Sequence, residues 1–139
     1  MIVTYIDGGA RGNPGPAGYG VSIQSADGSV VAELYGALGI ATNNVAEYNG
    51  LLAALQWAID HDARRVHVRA DSELLVKQMR GEHKVKNAGL QPLYVRARLL
   101  AAQLEDVRFE HVRREFNKEA DRLSNLGMDQ AEEQARKDC

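Results

Sequence analysis

Residues 19–38, YGVSIQSADGSVVAELYGAL, decide the fold, because they place two β-rich runs on either side of a turn. The turn is Ala26-Asp27-Gly28-Ser29, and Asp-Gly between two extended runs is a strong hairpin signal. Upstream, residues 2–6 form another short β-rich run, which Asp7-Gly8-Gly9 ends. We therefore predict an antiparallel meander of strands at 2–6, 19–25 and 30–38, with the glycine- and proline-rich stretch GNPGPAGYG (12–20) as the first connecting loop.

Downstream, the hydrophobic pattern alternates between the period of a helix and the period of a strand. Apolar residues recur every three or four positions across 44–60, which predicts an amphipathic helix. The same criteria predict strands at 65–70 and 107–112, and helices from 71–72 to about 80, from 90 to 104 and from 118 to about 133. The order βββ–α–β–α–α–β–α predicts an α/β fold, in which a five-stranded mixed sheet carries helices on both faces.

The composition is that of a soluble protein with a single domain, which we place at residues 1–139. The chain has 45% hydrophobic and 26% charged residues and a net charge of −2, which argues against binding to nucleic acid by bulk positive charge. No apolar run approaches the roughly 18 residues of a membrane span, and from the first residues we expect no export leader. The single cysteine, Cys139, suits the reducing cytoplasm, where we expect the protein to act. Residues 130–139 are highly charged, and they either continue the last helix or fray.

Four acidic residues in different parts of the chain are candidates for a metal site, although each has an ordinary alternative. Asp7 follows the first strand, where Asp-Gly-Gly also suits a simple turn. Glu47 stands three residues after Asn44, so the two also fit a capping box. Asp71 lies between a strand and a helix and also suits an N-cap, while Asp121 also suits a solvated acid in the first turns of the last helix.

Together the four acidic residues indicate more than any of them does alone. Two strand tips and the first turns of two helices can face one end of a mixed sheet. Four carboxylates there would repel one another by several kcal/mol unless divalent cations neutralised them. An oxygen-only ligand set, without histidine or cysteine, favours Mg²⁺ or Mn²⁺ over zinc. A pair of such ions supports phosphodiester cleavage by activating a water and stabilising the leaving oxygen.

Five segments of the chain, in the same order, are similar to the motifs of the type 1 ribonuclease H family. They are YIDGGARGNPGPAGYG (5–20), TNNVAEYNGLLAAL (42–55), ADSELLVKQM (70–79), VKN (85–87) and RREFNKEADRLSN (113–125). The resemblance spans nearly the whole chain, and it implies the ribonuclease H-like fold with strands one to three antiparallel. It also implies an endonuclease that hydrolyses the RNA strand of an RNA–DNA hybrid and leaves 5′-phosphate and 3′-hydroxyl ends.

The resemblance also assigns the metal ligands. Asp7, Glu47, Asp71 and Asp121 match the four catalytic carboxylates of the family. By this likeness two Mg²⁺ or Mn²⁺ ions bind together with the substrate, and Asp7 bridges them. Glu47 and Asp71 then bind one ion each or position the water, and Asp121 completes the second site.

Further residues match positions through which the family binds its substrate. Asn13, Asn43 and Asn44 match polar residues that reach into the minor groove of the hybrid, although Asn43 and Asn44 also suit helix capping. Thr42 and Asn87 match a pocket for a phosphate of the DNA strand. The glycines of the first motif would let the backbone approach the RNA strand closely; they are Gly8, Gly9, Gly12 and Gly15.

The chain departs from the better-known bacterial members of the family in three places. Those members carry a histidine on a loop before the last carboxylate, whereas residues 113–120 contain none. Arg114 resembles the arginine of archaeal-like members and is our candidate for the catalytic role, the alternative being a surface arginine. Glu73 replaces a glutamine that contacts the hybrid. The basic protrusion of some relatives is reduced to Lys84 and Lys86, which predicts weaker and more salt-dependent binding.

Two other functions are compatible with parts of the pattern. A catalytically weak module that binds RNA–DNA hybrid or double-stranded RNA is one alternative, although the presence of all four carboxylates argues against it. Another nuclease of the wider fold, such as a resolvase or an integrase-like core, is the other, although the asparagine and glycine motifs argue against it. We predict a monomer that acts on RNA–DNA hybrid, with double-stranded RNA as a second candidate substrate.

Overall fold

The computed structural model describes residues 1–138 and contains a five-stranded mixed sheet in the order β3-β2-β1-β4-β5. The first three strands are antiparallel neighbours, and β4 and β5 run parallel to β1. This arrangement confirms the predicted α/β fold and its antiparallel meander. The strands are β1 (Ile2–Ala10), β2 (Gly15–Ser25), β3 (Val30–Ala41), β4 (Arg65–Ala70) and β5 (Asp106–His111).

Within residues 1–138, four helices cover the sheet from its two faces. Neighbouring residues of a strand point to opposite faces, and Gly8 of β1 lies against Ala46 while Gly9 lies against Met128. Because these two contacts belong to different helices, the first and the last helix pack on opposite faces. The helices are α1 (Asn43–Asp60), α2 (Glu73–Met79), α3 (Gln91–Ala102) and α4 (Lys118–Lys137), and a 3₁₀ turn (Arg114–Phe116) precedes α4.

The main hydrophobic core lies between the sheet and α1, with α3 packed behind α1. Ile6, Val21, Leu51, Leu55 and Val68 are completely buried in it. The last helix continues through residue 137. Of the two alternatives for residues 130–139, the structure therefore shows continuation of the helix for most of this charged segment. Among residues 1–138 no helix combines the length and the apolar character needed to cross a bilayer.

The glycine-rich first motif is strand where a turn and a loop were predicted. β1 continues through Asp7, Gly8 and Gly9 to Ala10, and β2 begins at Gly15, so only residues 11–14 connect the two strands. The prediction that Asp7-Gly8-Gly9 ends the first strand was therefore wrong, and so was the alternative of a simple turn there. Glycine has low intrinsic preference for strands, but here Asp7 pairs with Gly20 and Gly9 pairs with Gly18, so the ladder itself holds this segment extended.

The caps of α1 and α2 also differ from the predicted ones. Thr42 is the N-cap of α1, and its Oγ1 accepts a hydrogen bond of 3.2 Å from the Val45 N–H. Ser72 is the N-cap of α2, and its Oγ accepts a hydrogen bond of 3.2 Å from the Leu75 N–H. The alternatives in which Asn44 and Asp71 are caps were therefore wrong, since each cap lies one or two residues away. The carboxylates of Glu47 and Asp71 are consequently not used in capping.

Helix α4 lies unusually close to the sheet because the contact is made by backbone. A Cβ built on Gly18 would lie 2.4 Å from the carbonyl carbon of Gly127, and one built on Gly127 would lie 2.5 Å from the carbonyl oxygen of Gly36. Real Cβ atoms do not approach backbone so closely, so each of these positions requires glycine. This contact brings the first half of α4 over β1 and β2, beside Asp7.

Candidate metal centre and nucleic-acid cleft

An open cleft of about 430 Å³ lies where β1 and β4 end, between the N-termini of α1 and α2 and the first turns of α4. It is lined by acidic side chains, small polar side chains, one arginine, one methionine and the backbone of the glycine segment of β1. The lining residues are Asp7, Gly8, Gly9, Ala10, Asn43, Asn44, Glu47, Asp71, Ser72, Arg114, Asp121, Ser124, Asn125 and Met128.

Three of the four predicted carboxylates meet at one point in this cleft. One oxygen atom from each of Asp7, Glu47 and Asp71 lies within 4.8 Å of the other two. Ala70, the last residue of β4, pairs with Ile6 of β1, so the next residues along these parallel strands, Asp71 and Asp7, lie side by side. Glu47 enters from above, because the backbone of α1 rests directly on Gly8.

Burial and mutual repulsion both oppose the charged form of this cluster. Asp7 and Glu47 are each only 8% exposed. Burial, followed by the charge of Asp71, raises the pKa of Asp7 to about 7, although the Gly8 N–H donates a 2.9 Å hydrogen bond to its Oδ1. Burial, followed by the charges of Asp7 and Asp71, raises the pKa of Glu47 well above its ordinary value. The charged form of these carboxyl groups is therefore disfavoured in the metal-free protein, and a bound cation would favour it.

These raised pKa values predict how the stability of the metal-free protein depends on pH. Between the ordinary pKa of an aspartate, 3.8, and the folded value of about 7, the native state binds more protons than the unfolded state. The free energy of unfolding should therefore fall as the pH rises through this interval, by about 2 to 4 kcal/mol for Asp7. Chemical denaturation in EDTA at pH 5 and pH 8 measures this difference. Addition of Mg²⁺ at pH 8 should restore stability, and a stability that rises towards pH 8 without metal would contradict the prediction.

Asp121 lines the same cleft but is not among the three carboxylates that meet within 4.8 Å. It is exposed on the first turns of α4, and its charge contributes to the raised pKa of Asp7. Ser124, one turn later, links the two residues: its Oγ lies 2.8 Å from the Asp121 carbonyl oxygen and 3.3 Å from Asp7 Oδ2. Asp121 is therefore connected to the carboxylate cluster through Ser124 of α4.

Asn117 is a residue of this region that the sequence analysis missed. It is 1% exposed, and its Nδ2 donates a hydrogen bond of 2.9 Å to the carbonyl oxygen of Ile6, the residue before Asp7. Its own carbonyl oxygen accepts from the Asp121 N–H at 3.0 Å. Asn117 thus fixes the start of α4 to β1 between two of the candidate ligands. An asparagine before a helix resembles an ordinary cap, so the sequence carries no separate signal for this contact.

Arg114 lies on the 3₁₀ turn and lines the cleft together with Asp71 and Asp121. Its side chain is exposed, and within residues 1–138 it forms no ion pair or hydrogen bond with another side chain. The neighbouring Arg113, by contrast, pairs with Glu115 at 3.8 Å. Arg114 is therefore placed to meet an anion in the cleft.

Asn13 and Asn43 are oriented by backbone groups so that each presents an amide donor. The Asn43 N–H donates to Asn13 Oδ1 at 3.0 Å, and the Ala10 N–H donates to Asn43 Oδ1 at 2.8 Å. Since a backbone N–H can only donate, the oxygen of each side chain is fixed and its NH₂ group remains for a ligand. Asn44 lines the cleft as well as a neighbouring cavity of about 720 Å³.

That neighbouring cavity contains part of the predicted phosphate pocket. Asn87 lines it with Lys84 and Lys86, and the Oδ1 of Asn87 accepts from the Gly89 N–H at 2.7 Å, which again leaves an amide donor. Thr42 does not line the cavity, and its hydroxyl serves as the cap of α1. The structure therefore brings Asn87 to two lysines and does not bring Thr42 to them.

Glu73 and the glycines have structural partners that were not foreseen. Glu73 is absent from the cleft lining, and its carboxylate forms an ion pair of 2.9 Å with Lys77 on the exposed side of α2. A Cβ on Gly8 would lie 2.3 Å from the backbone of Ala46, and one on Gly15 would lie 2.0 Å from the Arg11 carbonyl oxygen. Packing of the protein against itself thus requires glycine at both positions.

A comparison with protein families finds a match to the model described as "Reverse transcriptase-like" over residues 5–127. The "Bifunctional protein Rv2228c" of Mycobacterium tuberculosis is 50% identical over 139 residues, which are 99% of this chain and 38% of that protein. This chain therefore spans well under half the length of that relative.

Two solved structures are similar over almost their whole length. RNase H1 from Halobacterium salinarum has 42% identity and a TM-score of 0.89, with 93% of this chain and 98% of that chain covered. LC11-RNase H1, solved in complex with an RNA/DNA hybrid, has 40% identity and a TM-score of 0.88, with 94% and 99% covered. With the matched family model and the order of strands and helices, these similarities show that the chain belongs to the type 1 ribonuclease H family.

Proposed function

We propose that this protein is an endonuclease that hydrolyses the RNA strand of RNA–DNA hybrids and leaves 5′-phosphate and 3′-hydroxyl ends. The observation that carries the proposal is the meeting of Asp7, Glu47 and Asp71 within 4.8 Å, in a cleft that is also lined by asparagine side chains and Arg114. The complex of LC11-RNase H1 with an RNA/DNA hybrid supports the choice of substrate, since that protein is 40% identical to this chain.

The residues of the cleft fit a pair of Mg²⁺ or Mn²⁺ ions. Within residues 1–138, Glu47 Oε2 is buried and has no hydrogen-bond partner, which is costly unless a ligand satisfies it. The ligand set consists of carboxylate oxygens, which hard cations prefer. Asp7, Glu47 and Asp71 would hold the cations, and Asp121 would complete the set from α4. When bound, the cations supply an activated water and stabilise charge on the leaving oxygen.

The other residues of the cleft orient the carboxylates and bind the hybrid. The Gly8 N–H and the Ser124 hydroxyl, at 2.9 and 3.3 Å from the two oxygens of Asp7, hold this carboxylate in one orientation. The amide donors of Asn13 and Asn43 face acceptors of the minor groove, where base edges and 2′-hydroxyls are accessible. Arg114 stabilises negative charge that develops beside the carboxylates during cleavage. Asn87 with its two lysines binds a phosphate of the other strand.

We expect Asn43→Asp to weaken hybrid binding while leaving the fold intact. Aspartate has the same shape and still accepts from the Ala10 N–H, but it replaces the free amide donor with a negative charge beside nucleic acid. The dissociation constant for a hybrid should rise by about tenfold or more. Fluorescence anisotropy with a labelled hybrid measures it, with Gln134→Glu, at an exposed position of α4 outside the cleft, as the control. Equal affinities for the two variants would contradict the role of Asn43.

We expect Arg114→Ala to lower turnover by about tenfold to a hundredfold while leaving hybrid affinity largely intact. Arg114 has no partner among the described side chains, so its removal leaves no buried group unsatisfied. Steady-state kinetics with a hybrid measures the effect, with Arg113→Ala as the matched control from the same turn. Unchanged turnover in Arg114→Ala would make it a surface residue only.

The decisive test of the proposed function is cleavage of labelled nucleic acids with titrated Mg²⁺ or Mn²⁺. The panel should contain an RNA–DNA hybrid, double-stranded RNA, duplex DNA and a four-way junction. We expect metal-dependent cleavage of the RNA strand of the hybrid. Tight binding without metal-dependent cleavage would indicate a binding module instead, and preferential cleavage of DNA or of junctions would indicate another nuclease with the same fold.

A further inference from the structure

Arg11 makes a cluster of polar contacts that the proposed chemistry does not require. Its Nη1 donates to Asp129 Oδ1 at 2.6 Å and to Glu132 Oε1 at 2.8 Å, and its Nη2 donates to Asn125 Oδ1 at 3.2 Å. These partners lie on α4, more than 110 residues further along the chain, with Asp129 and Glu132 in the second half of the helix and Asn125 just before its middle. A guanidinium group that meets two carboxylates and an amide at once is held far more firmly than one in a single exposed ion pair.

The anchored residue belongs to the short connection 11–14 between β1 and β2. Gly12, Asn13 and Pro14 are exposed, so no buried side chain fixes this connection. Its other attachments are the Arg11 N–H, which donates to the Pro16 carbonyl oxygen at 2.9 Å, and Asn13 Oδ1, which accepts from the Asn43 N–H at 3.0 Å. A connection of this kind loses order easily, since little offsets its conformational entropy.

We propose that Arg11 is a positioning residue that clamps the connection 11–14 to α4 and thereby holds Asn13 ready for the hybrid. The proposal rests on the proposed function, because it takes the partner of Asn13 to be the minor groove. Substrate binding would then depend on residues outside the carboxylate cluster. Helix α4 carries Asp121 near its start, and further along it carries Asp129 and Glu132, which hold Arg11 and with it the connection 11–14.

The clamp predicts a change in KM without a matching change in kcat. With Mg²⁺ and a hybrid, Arg11→Met should raise KM by about fivefold to tenfold and leave kcat within about twofold of the wild-type value. The matched control is Arg122→Met, which removes a guanidinium group of α4 that also pairs with two acids, Glu33 at 2.6 Å and Glu119 at 3.0 Å, away from the connection. We expect that control to keep the wild-type KM. Thermal unfolding of both variants checks that the fold is retained.

A triple variant separates clamping from simple neutralisation of charge. In Arg11→Met/Asp129→Asn/Glu132→Gln the negative charges at positions 129 and 132 are removed and can no longer repel nucleic acid. The connection 11–14 is still detached from α4 in this variant. KM should therefore stay raised at low and at high salt if Arg11 positions the connection. A KM that returns to the wild-type value, an unchanged KM in Arg11→Met, or an equal rise in Arg122→Met would each overturn the proposal.

Hybrid affinity keeps this test independent of cleavage. Fluorescence anisotropy with the Arg11→Met, Arg122→Met and triple variants gives the same comparison if the wild-type protein binds the hybrid without cutting it. In that case the proposed endonuclease activity is rejected, but the affinities of the variants still test the role of Arg11. If the wild-type protein does not bind a hybrid at all, both proposals fail.

Discussion

Asp7→Asn should abolish metal-dependent cleavage of the hybrid, with a loss of turnover of at least about a thousandfold. Asp7 is the central member of the carboxylate cluster, because it lies beside Asp71, one residue past the last pair of β1 and β4, and close to Glu47 of α1. The amide keeps the shape of the side chain and removes the negative charge that a cation requires. Steady-state cleavage with Mg²⁺ and with Mn²⁺ measures the loss.

The same variant should be more stable than the wild-type protein in the absence of metal at pH 8, by on the order of 2 kcal/mol. Replacing the charge relieves both its burial and its repulsion with neighbouring carboxylates, so lost activity cannot be attributed to unfolding. Asp60→Asn is the matched control, since Asp60 is an exposed acid at the end of α1 that bonds to Gln56. Cleavage by Asp7→Asn at a rate close to that of Asp60→Asn would contradict the metal site.

Gly8→Ala should be the most disruptive single methyl substitution in the cleft. The added Cβ would lie 2.3 Å from the carbonyl carbon of Ala46 and 2.4 Å from the Glu47 nitrogen, and these are backbone atoms that cannot turn aside. Helix α1 must then lift at its N-terminus and carry the Glu47 carboxylate away from Asp7. We expect a loss of about 3 kcal/mol or more in the free energy of unfolding, together with a marked loss of metal affinity.

Gly9→Ala is the control for Gly8→Ala, because it changes the adjacent residue on the opposite face of β1. Its added Cβ would lie 3.3 Å from Cε at the flexible end of Met128 and 3.9 Å from Asn43 Oδ1, which is an ordinary contact distance. Stability should change by about 1 kcal/mol or less, and Mg²⁺ affinity should be retained. Urea denaturation and calorimetric Mg²⁺ titration of the two variants make the comparison. Equal losses would mean that the contact of α1 with β1 does not set the position of Glu47.

The sequence was sufficient for the fold because its local signals agree with its tertiary structure. Three predictions succeeded because the burial of side chains follows the period of the strand or helix that carries them. They are the Asp-Gly turn, the change of hydrophobic period after residue 43 and the strand at residues 65–70, whose bounds are those of β4. The glycine-rich strands β1 and β2 are the exception to this agreement. In β1 and β2 the glycines serve helices that pack on both faces, and no local pattern distinguishes such a strand from a loop.

The candidate site was predictable to the extent that it depends on chain order. Asp7 and Asp71 follow from neighbouring parallel strands, whereas the caps Thr42 and Ser72 depend on where packing lets each helix begin. The contacts of Asn117 with Ile6 and of Arg11 with α4 join residues more than 100 positions apart. No rule of local sequence could reveal them, because they exist only once α4 is docked on the sheet.

The raised pKa of Asp7, about 7, makes metal uptake an exchange reaction. Near neutral pH this carboxyl carries a proton for about half of the time, so a cation that binds there must expel protons into the buffer. The heat of Mg²⁺ binding should consequently vary with the ionisation enthalpy of the buffer. Apparent Mg²⁺ affinity should increase with pH until Asp7 is fully ionised. Acidity and magnesium concentration thus act on this protein as competitors for the same oxygen atoms.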